Sequence, residues 1–191
     1  MQTLSKEELN LRMDEMYNKI ENGKLFIYPT DTIYGLGCDA TNHKAVDKVH
    51  QVKKRPKNIA FSVIAPSKEW IQENCEITKE AQKWLDKLPG PYTLIMKLKN
   101  KKAVAENVHP GFETLGVRIP NHWIKDFVAE IGKPVVTTSA NISGKSFMTS
   151  MDDLDNELAP WIDFTVYEGE KKGKPSTLID LSKDKVEIKE R

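Results

Sequence analysis

A chain of 191 residues has room for one domain with a full core and too little for two ordinary ones. Hydrophobic residues make up 39% and charged residues 30%, which excludes a disordered chain, and no apolar run approaches the ~20 residues that span a bilayer. The net charge of +1 argues against a dedicated nucleic-acid binder, and two isolated cysteines, Cys38 and Cys75, argue against a disulfide framework. With no apolar leader in Met1-Gln2-Thr3-Leu4-Ser5-Lys6, the expected compartment is the cytoplasm.

Ser5 and Glu8 stand at capping-box spacing. Leu9, Leu11, Met13, Met16, Tyr17 and Ile20 then predict one helix that Gly23 ends. Leu25–Tyr28 reads as a buried strand, which Pro29 closes because it has no N–H to give a sheet. The stretch Thr30-Asp31-Thr32-Ile33-Tyr34-Gly35-Leu36-Gly37 follows as a polar, glycine-rich loop. Asn42 predicts the cap of a second helix with Ala45, Val46, Val49 and Val52 on one face. His43 and His50 share that helix, but not at the spacing of a metal pair.

Residues 61–64 form the next expected strand. Ser67 and Thr78 predict the caps of two more helices, the second with Ala81, Trp84, Leu85 and Leu88 at helical spacing. Leu88-Pro89-Gly90-Pro91 breaks the chain, and strands are expected at 92–98 and 115–120. Asn121 is the expected cap of a helix carrying Trp123, Ile124, Phe127, Val128 and Ile131, ended by Gly132. A strand over 134–138 runs into Ser139-Ala140-Asn141-Ile142-Ser143-Gly144. Leu154 and Leu158 predict a short helix, and residues 164–167 and 177–181 late strands. The sum is an α/β (α+β-like) single domain, residues 1–191, on a mixed sheet with flanking helices.

Polar groups stand in places where a strand should be plain. The Thr30–Thr32 loop follows a strand end, a common ligand position in α/β sheets; its plain alternative is a tight turn. Arg118 sits inside Gly-Val-Arg-Ile-Pro, where an arginine is costly to bury without an anion; its plain alternative is an edge position facing water. Thr138-Ser139-Ala140-Asn141 offers hydroxyls, an amide and backbone N–H groups to anionic oxygens, or else is a polar turn. The basic runs Lys53–Lys57 and Lys171–Lys174 suit phosphates, or are simply solvated. Phosphate-loop and dinucleotide glycine motifs are absent, as are zinc spacings and any nucleophile with a base. What remains is an inventory of anion binders, suited to catalysis by positioning and charge stabilisation.

Six segments stand in the order and spacing of the YrdC-like family of threonylcarbamoyl-AMP synthases, and the chain resembles that family from about Lys24 to Asp180. They are Pro-Thr-Asp-Thr-Ile-Tyr-Gly-Leu-Gly, Lys-Lys-Arg-Pro, Gly-Pro-Tyr-Thr-Leu, Gly-Val-Arg-Ile-Pro, Thr-Ser-Ala-Asn-Ile-Ser-Gly and Pro-Ser-Thr-Leu-Ile-Asp. The resemblance implies a twisted, open, mixed sheet around a deep, positively lined cavity. It implies that L-threonine, bicarbonate (or CO₂) and ATP give threonylcarbamoyl-adenylate and pyrophosphate, for threonylcarbamoyladenosine modification of tRNA by a downstream transferase. By the same resemblance Lys53 and Arg55 are catalytic and meet the triphosphate. Thr32, Arg118, Thr138 and Ser176 form the threonine pocket, with Arg118 gripping the carboxylate. Ile59, Thr114, Ser139, Ala140 and Asn141 join Lys53 and Arg55 around ATP, and Thr30 and Tyr34 form cavity wall. Mg²⁺ is expected on the ATP phosphates, with no metal ligand from a protein side chain.

The chain departs from the family pattern at Ala60-Phe61, where Pro-Leu is usual, and at Ile64, where many bacterial members carry histidine. Some relatives have a second, C-terminal domain; this chain is expected to be the short, single-domain form. Two other readings stay open: an RNA-binding module that uses the basic runs without chemistry, and a carbamoyl-transfer paralogue. Weak direct RNA binding is compatible with the synthase reading as well.

Overall fold

The computed structural model describes residues 1–190. Its strands are β1 (Gln2–Leu4), β2 (Leu25–Tyr28), β3 (Gly35–Gly37), β4 (Ser62–Ile64), β5 (Tyr92–Lys97), β6 (Thr114–Arg118), β7 (Val135–Ser139), β8 (Ile162–Val166), β9 (Thr177–Asp180) and β10 (Glu187–Lys189). The helices are α1 (Lys6–Leu11), α2 (Met13–Glu21), α3 (His43–Val52), α4 (Lys68–Asn74), α5 (Lys79–Asp86) and α6 (Ile124–Ile131). The strands join in one mixed sheet in the order β1-β8-β2-β3-β7-β4-β6-β5-β9-β10.

Local signals in the sequence set most helix ends. Ser5 and Glu8 form the capping box, and Asn42, Ser67 and Thr78 each accept the expected backbone N–H. Gly132 ends α6 in the left-handed region (φ 69°). The expected first helix is two, because the chain breaks at Arg12 (φ −122°, ψ 26°). Asn121 does not cap α6, which starts at Ile124 after Trp123; the Asn121 N–H is used elsewhere, by Asp31. The short helix expected around Leu154 and Leu158 is two separate 3₁₀ turns, Met151–Asp153 and Ala159–Trp161.

Gly35–Gly37 is a strand rather than the tail of a turn, paired with β2 on one side and β7 on the other. The Tyr28 ring makes this possible, lying across both glycines. A Cβ on Gly35 would stand 2.8 Å from the ring, and one on Gly37 2.7 Å from it and 2.8 Å from the Val136 carbonyl.

The sheet separates two apolar layers. On one face α3, α4 and α5 pack Val46, Val49, Ile71, Ala81 and Leu85 onto Val63, Leu94, Val117 and Val136. On the other face α1, α2 and α6 cover the β1-β8-β2-β3-β7 half with Leu9, Met16, Ile20, Phe127 and Ile131. Phe26 anchors that layer, stacked on Phe164 at 5.0 Å and edge-on to Phe127 at 6.3 Å. In the other half of this second face, strand alternation turns different residues outward, and there the site forms.

Candidate active site

Leu94, Met96, Leu115, Val117 and Ile179 point into the first core, so their strand neighbours face the other way. Those neighbours include Ser62, Thr93, Thr114, Gly116, Arg118 and Asp180, and they line a cavity of about 700 Å³. The registers align Thr137, Ser62, Gly116, Ile95 and Asp180 in one row across five strands. Gly116 is the low point of this floor: a Cβ there would lie 2.4 Å from Ser62 Oγ. Thr114 and Arg118 flank it on the same strand, four residues apart and so about 13 Å from each other.

Arg118 is 5% exposed. Its Nη2 donates to Asp31 Oδ1 at 2.6 Å, and among the described residues its Nε has no partner. Burial pushes its pKa down while the Asp31 carboxylate holds it up, so the guanidinium keeps its charge. Asp31 Oδ2 in turn accepts the Asn121 N–H at 2.9 Å. Beside Asp31, Thr30 Oγ1 accepts the N–H groups of Thr32 and Ile33 and lies 2.9 Å from Thr32 Oγ1, which fixes both hydroxyls.

Arg55 lies on the cavity wall, to which Thr114 and Ser139 also belong. Its Nη2 donates to the Ala60 carbonyl at 2.7 Å, the guanidinium sits 4.9 Å over the Phe61 ring, and Nε is buried without a partner among the described residues. Lys53 is placed differently. It is buried behind the wall, where Nζ donates to the Ser139 carbonyl at 2.5 Å, the Asn141 carbonyl at 2.7 Å and Asn141 Oδ1 at 3.0 Å. Burial, and then the Arg55 charge, push its pKa down to about 7. The Ser139 hydroxyl also donates to Asn141 Oδ1, at 2.6 Å. Lys53 therefore shapes the Ser139–Asn141 loop from within.

Residues 168–176 form a strap beside the cavity, and Pro175 and Ser176 join its lining. Tyr34 donates its hydroxyl to the Gly169 carbonyl at 2.7 Å and stacks on Tyr167 at 5.7 Å; burial pushes its pKa up to about 12. Glu168 accepts from Trp123 Nε1 at 2.7 Å and pairs with His122 and Lys171. The Lys171 N–H donates to the Thr149 carbonyl, and Ser176 Oγ lies 2.8 Å from Thr93 Oγ1. Gly173 rests directly on Thr32, where a Cβ would fall 2.0 Å from the Thr32 carbonyl oxygen.

Of the residues expected at a site, the cavity wall gathers Thr30, Thr32, Tyr34, Arg55, Thr114, Arg118, Thr138, Ser139 and Ser176. Lys53, Ala140 and Asn141 lie outside that lining, and Ile59 is a surface residue, 42% exposed. Sequence reasoning passed over Ser62, Thr93 and Gly116 in the floor, Asp180 and Lys183 at one edge, and the half-exposed Phe112 at the rim. Small or polar residues alternating with core residues in β4, β5 and β6 were the available signal. Among the described residues no group of three or more His, Cys, Asp or Glu could hold a metal ion. None of their helices is long and apolar enough to cross a membrane.

The Sua5/YciO/YrdC family model, described as "Telomere recombination", matches residues 18–191. The chain belongs to the Sua5/YciO/YrdC family. It is 37% identical over 185 residues to a putative threonylcarbamoyl-AMP synthase of Methanocaldococcus jannaschii, covering 96% of this chain and 86% of the relative. It is 28% identical over 180 residues to the threonylcarbamoyl-AMP synthase of Vibrio campbellii, covering 91% and 96%. The crystal structure of P. abyssi Sua5 complexed with L-threonine superposes with a TM-score of 0.87 at 29% identity. That match covers 98% of this chain and 56% of the Sua5 chain, so this Sua5/YciO/YrdC chain spans about half the length of that relative.

Proposed function

We propose that the chain is an L-threonylcarbamoyladenylate synthase, converting L-threonine, bicarbonate (or CO₂) and ATP into threonylcarbamoyl-AMP and pyrophosphate, with water released as well when bicarbonate is the carbon source. The observation that supports this reading is one cavity whose wall gathers two arginines, Arg118 and Arg55, with hydroxyls, and in which Thr114 and Arg118 flank Gly116 on one strand. Arg118, Thr32, Thr138 and Ser176 take threonine. Arg55, Thr114 and Ser139 take the nucleotide.

The chemistry needs no covalent enzyme intermediate. The threonine amine adds to the carbon source, and a carbamate oxygen then attacks the α-phosphorus as pyrophosphate leaves. Arg55, with the Thr114 hydroxyl of the same wall, stabilises the charge that develops on the phosphate oxygens. The sparse acids of the wall suit an Mg²⁺ ion that is carried by the ATP phosphates and offsets their charge when bound. The adenylate then serves a transferase that modifies the adenosine beside the anticodon of tRNAs reading codons that start with A.

The basic runs favour this small-molecule reading over an RNA-binding module. Lys53 is buried, Lys54 pairs with Glu157, Lys57 with Asp47 and Lys171 with Glu168, which leaves less free charge than the sequence offers. The test is pyrophosphate release from ATP, bicarbonate and Mg²⁺ with L-threonine, with L-serine, and with neither. Release that depends on L-threonine supports the synthase; no release from folded protein that binds ATP or RNA overturns it.

A further inference from the structure

Thr30 and Thr32 both line the cavity, and Asp31 stands between them. Its two oxygens are separately engaged: Oδ1 by Arg118 Nη2 at 2.6 Å, Oδ2 by the Asn121 N–H at 2.9 Å. Asn121 follows β6 by three residues, so a closed circuit forms from β6 through the Arg118 side chain and Asp31 back to the main chain after β6. The ion pair is nearly dry, with side-chain exposures of 6% for Arg118 and 12% for Asp31.

A guanidinium carries five N–H donors in a rigid plane. Asp31 takes one of these donors, while Nε is buried and has no partner among the described residues. An arginine side chain has four rotatable bonds, and without a fixed acceptor it would sample many directions. A carboxylate pinned by a backbone N–H selects one of them. It also supplies the counter-charge that a buried arginine needs before any ligand arrives.

We propose that Asp31 is a positioning residue for substrate recognition: it holds the Arg118 fork so that the remaining donors receive the α-carboxylate of the amino-acid substrate. This rests on the threonine-pocket reading above. The competing account is a staple, in which the pair merely ties the Thr30–Thr32 loop to β6. The two differ in chemical selectivity. A staple failure loosens the whole pocket, whereas a positioning failure removes recognition of the carboxylate alone.

The experiment compares L-threonine with L-threoninamide, which keeps the amine and the side chain and lacks the carboxylate. Dissociation constants are measured by calorimetry for the wild type, Arg118→Ala, Asp31→Ala and Asp31→Asn, with the ATP KM as a second readout. The wild type prefers threonine, and Arg118→Ala erases that preference. Asp31→Ala weakens threonine by about tenfold or more, the range of one charge-assisted hydrogen bond. Threoninamide affinity and ATP KM stay within about threefold, less than one such bond is worth. Asp31→Asn, which keeps an acceptor for Arg118, falls between and serves if the alanine variant does not fold. Equal weakening of both ligands overturns the proposal in favour of the staple, and weakening of neither overturns it outright. Retained preference in Arg118→Ala overturns it at its root, by removing Arg118 from carboxylate recognition. A wild type that binds neither ligand fails the function reading itself.

Discussion

Gly173→Ala tests whether the strap sets the geometry of the threonine end. The new methyl would stand 2.0 Å from the Thr32 carbonyl oxygen, 2.7 Å from its carbon and 2.9 Å from its Cα. All three atoms are backbone, so no side chain can rotate aside. A tolerable contact needs about 3.2 Å, so strap and loop must part by roughly 1.2 Å. The strap is anchored at Glu168, Gly169, Lys171 and Ser176, to either side of Gly173, and it yields more readily there than the Thr30–Thr32 loop with its interlocked hydroxyls. The stability cost is then small, about 1 kcal/mol, or a Tm lower by about 2–4 °C for a chain of this size. The functional cost is larger, since a displacement near 1 Å in a positioning element lowers rates up to about a hundredfold. Pyrophosphate release at saturating ATP should show the threonine KM raised by about tenfold or more, with the ATP KM within about threefold. Threonine kinetics within twofold of wild type would refute the reasoning and free the strap from the site.

Three further outcomes are expected. Gly37→Ala presses a methyl onto the Tyr28 ring and the Val136 carbonyl, so it should cost about 2–3 kcal/mol and lower Tm by about 5–10 °C; an unchanged melt would mean β3 is looser than described. Gly116→Val fills the floor between Thr114 and Arg118 and should abolish turnover while each substrate alone still binds measurably; normal turnover would show that the reacting atoms lie elsewhere. Lys53 has a folded pKa of about 7 against about 10.4 unfolded, so between those values only the unfolded chain keeps the proton and stability rises with pH. Urea midpoints from pH 7 to 10 should therefore climb for the wild type relative to Lys53→Met, by no more than about 5 kcal/mol in all; a flat or falling difference would mean the Ser139 and Asn141 oxygens keep Lys53 protonated.

What could be read from the sequence was local. Ser5, Asn42, Ser67 and Thr78 cap helices through bonds only three residues long, so the signal and its partner lie in one window. Arg118 stood out because a charge inside a strand demands an explanation. Gly35–Gly37 misled because two glycines favour a turn, while the Tyr28 ring that fills their missing side chains belongs to another strand. Asn121 misled because the helix begins only at Ile124, and the Asn121 N–H ties the intervening turn to an acid 90 residues away. The floor of the cavity was hidden for a related reason. In Thr-Leu-Gly-Val-Arg the core-facing Leu115 and Val117 are plain, but the outward side of a strand looks the same whether water or a ligand covers it. The strap that makes the difference comes from residues 168–176, far along the chain. Once β6 is placed, its alternation acquires a meaning that its composition lacked. Thr114 and Arg118 mark the two ends of the site, and Gly116 between them leaves the gap. Under the function proposed above, the same five residues supply a nucleotide contact, a carboxylate receptor and the floor between them, so the chemistry is assigned to the place where a strand gives up a side chain.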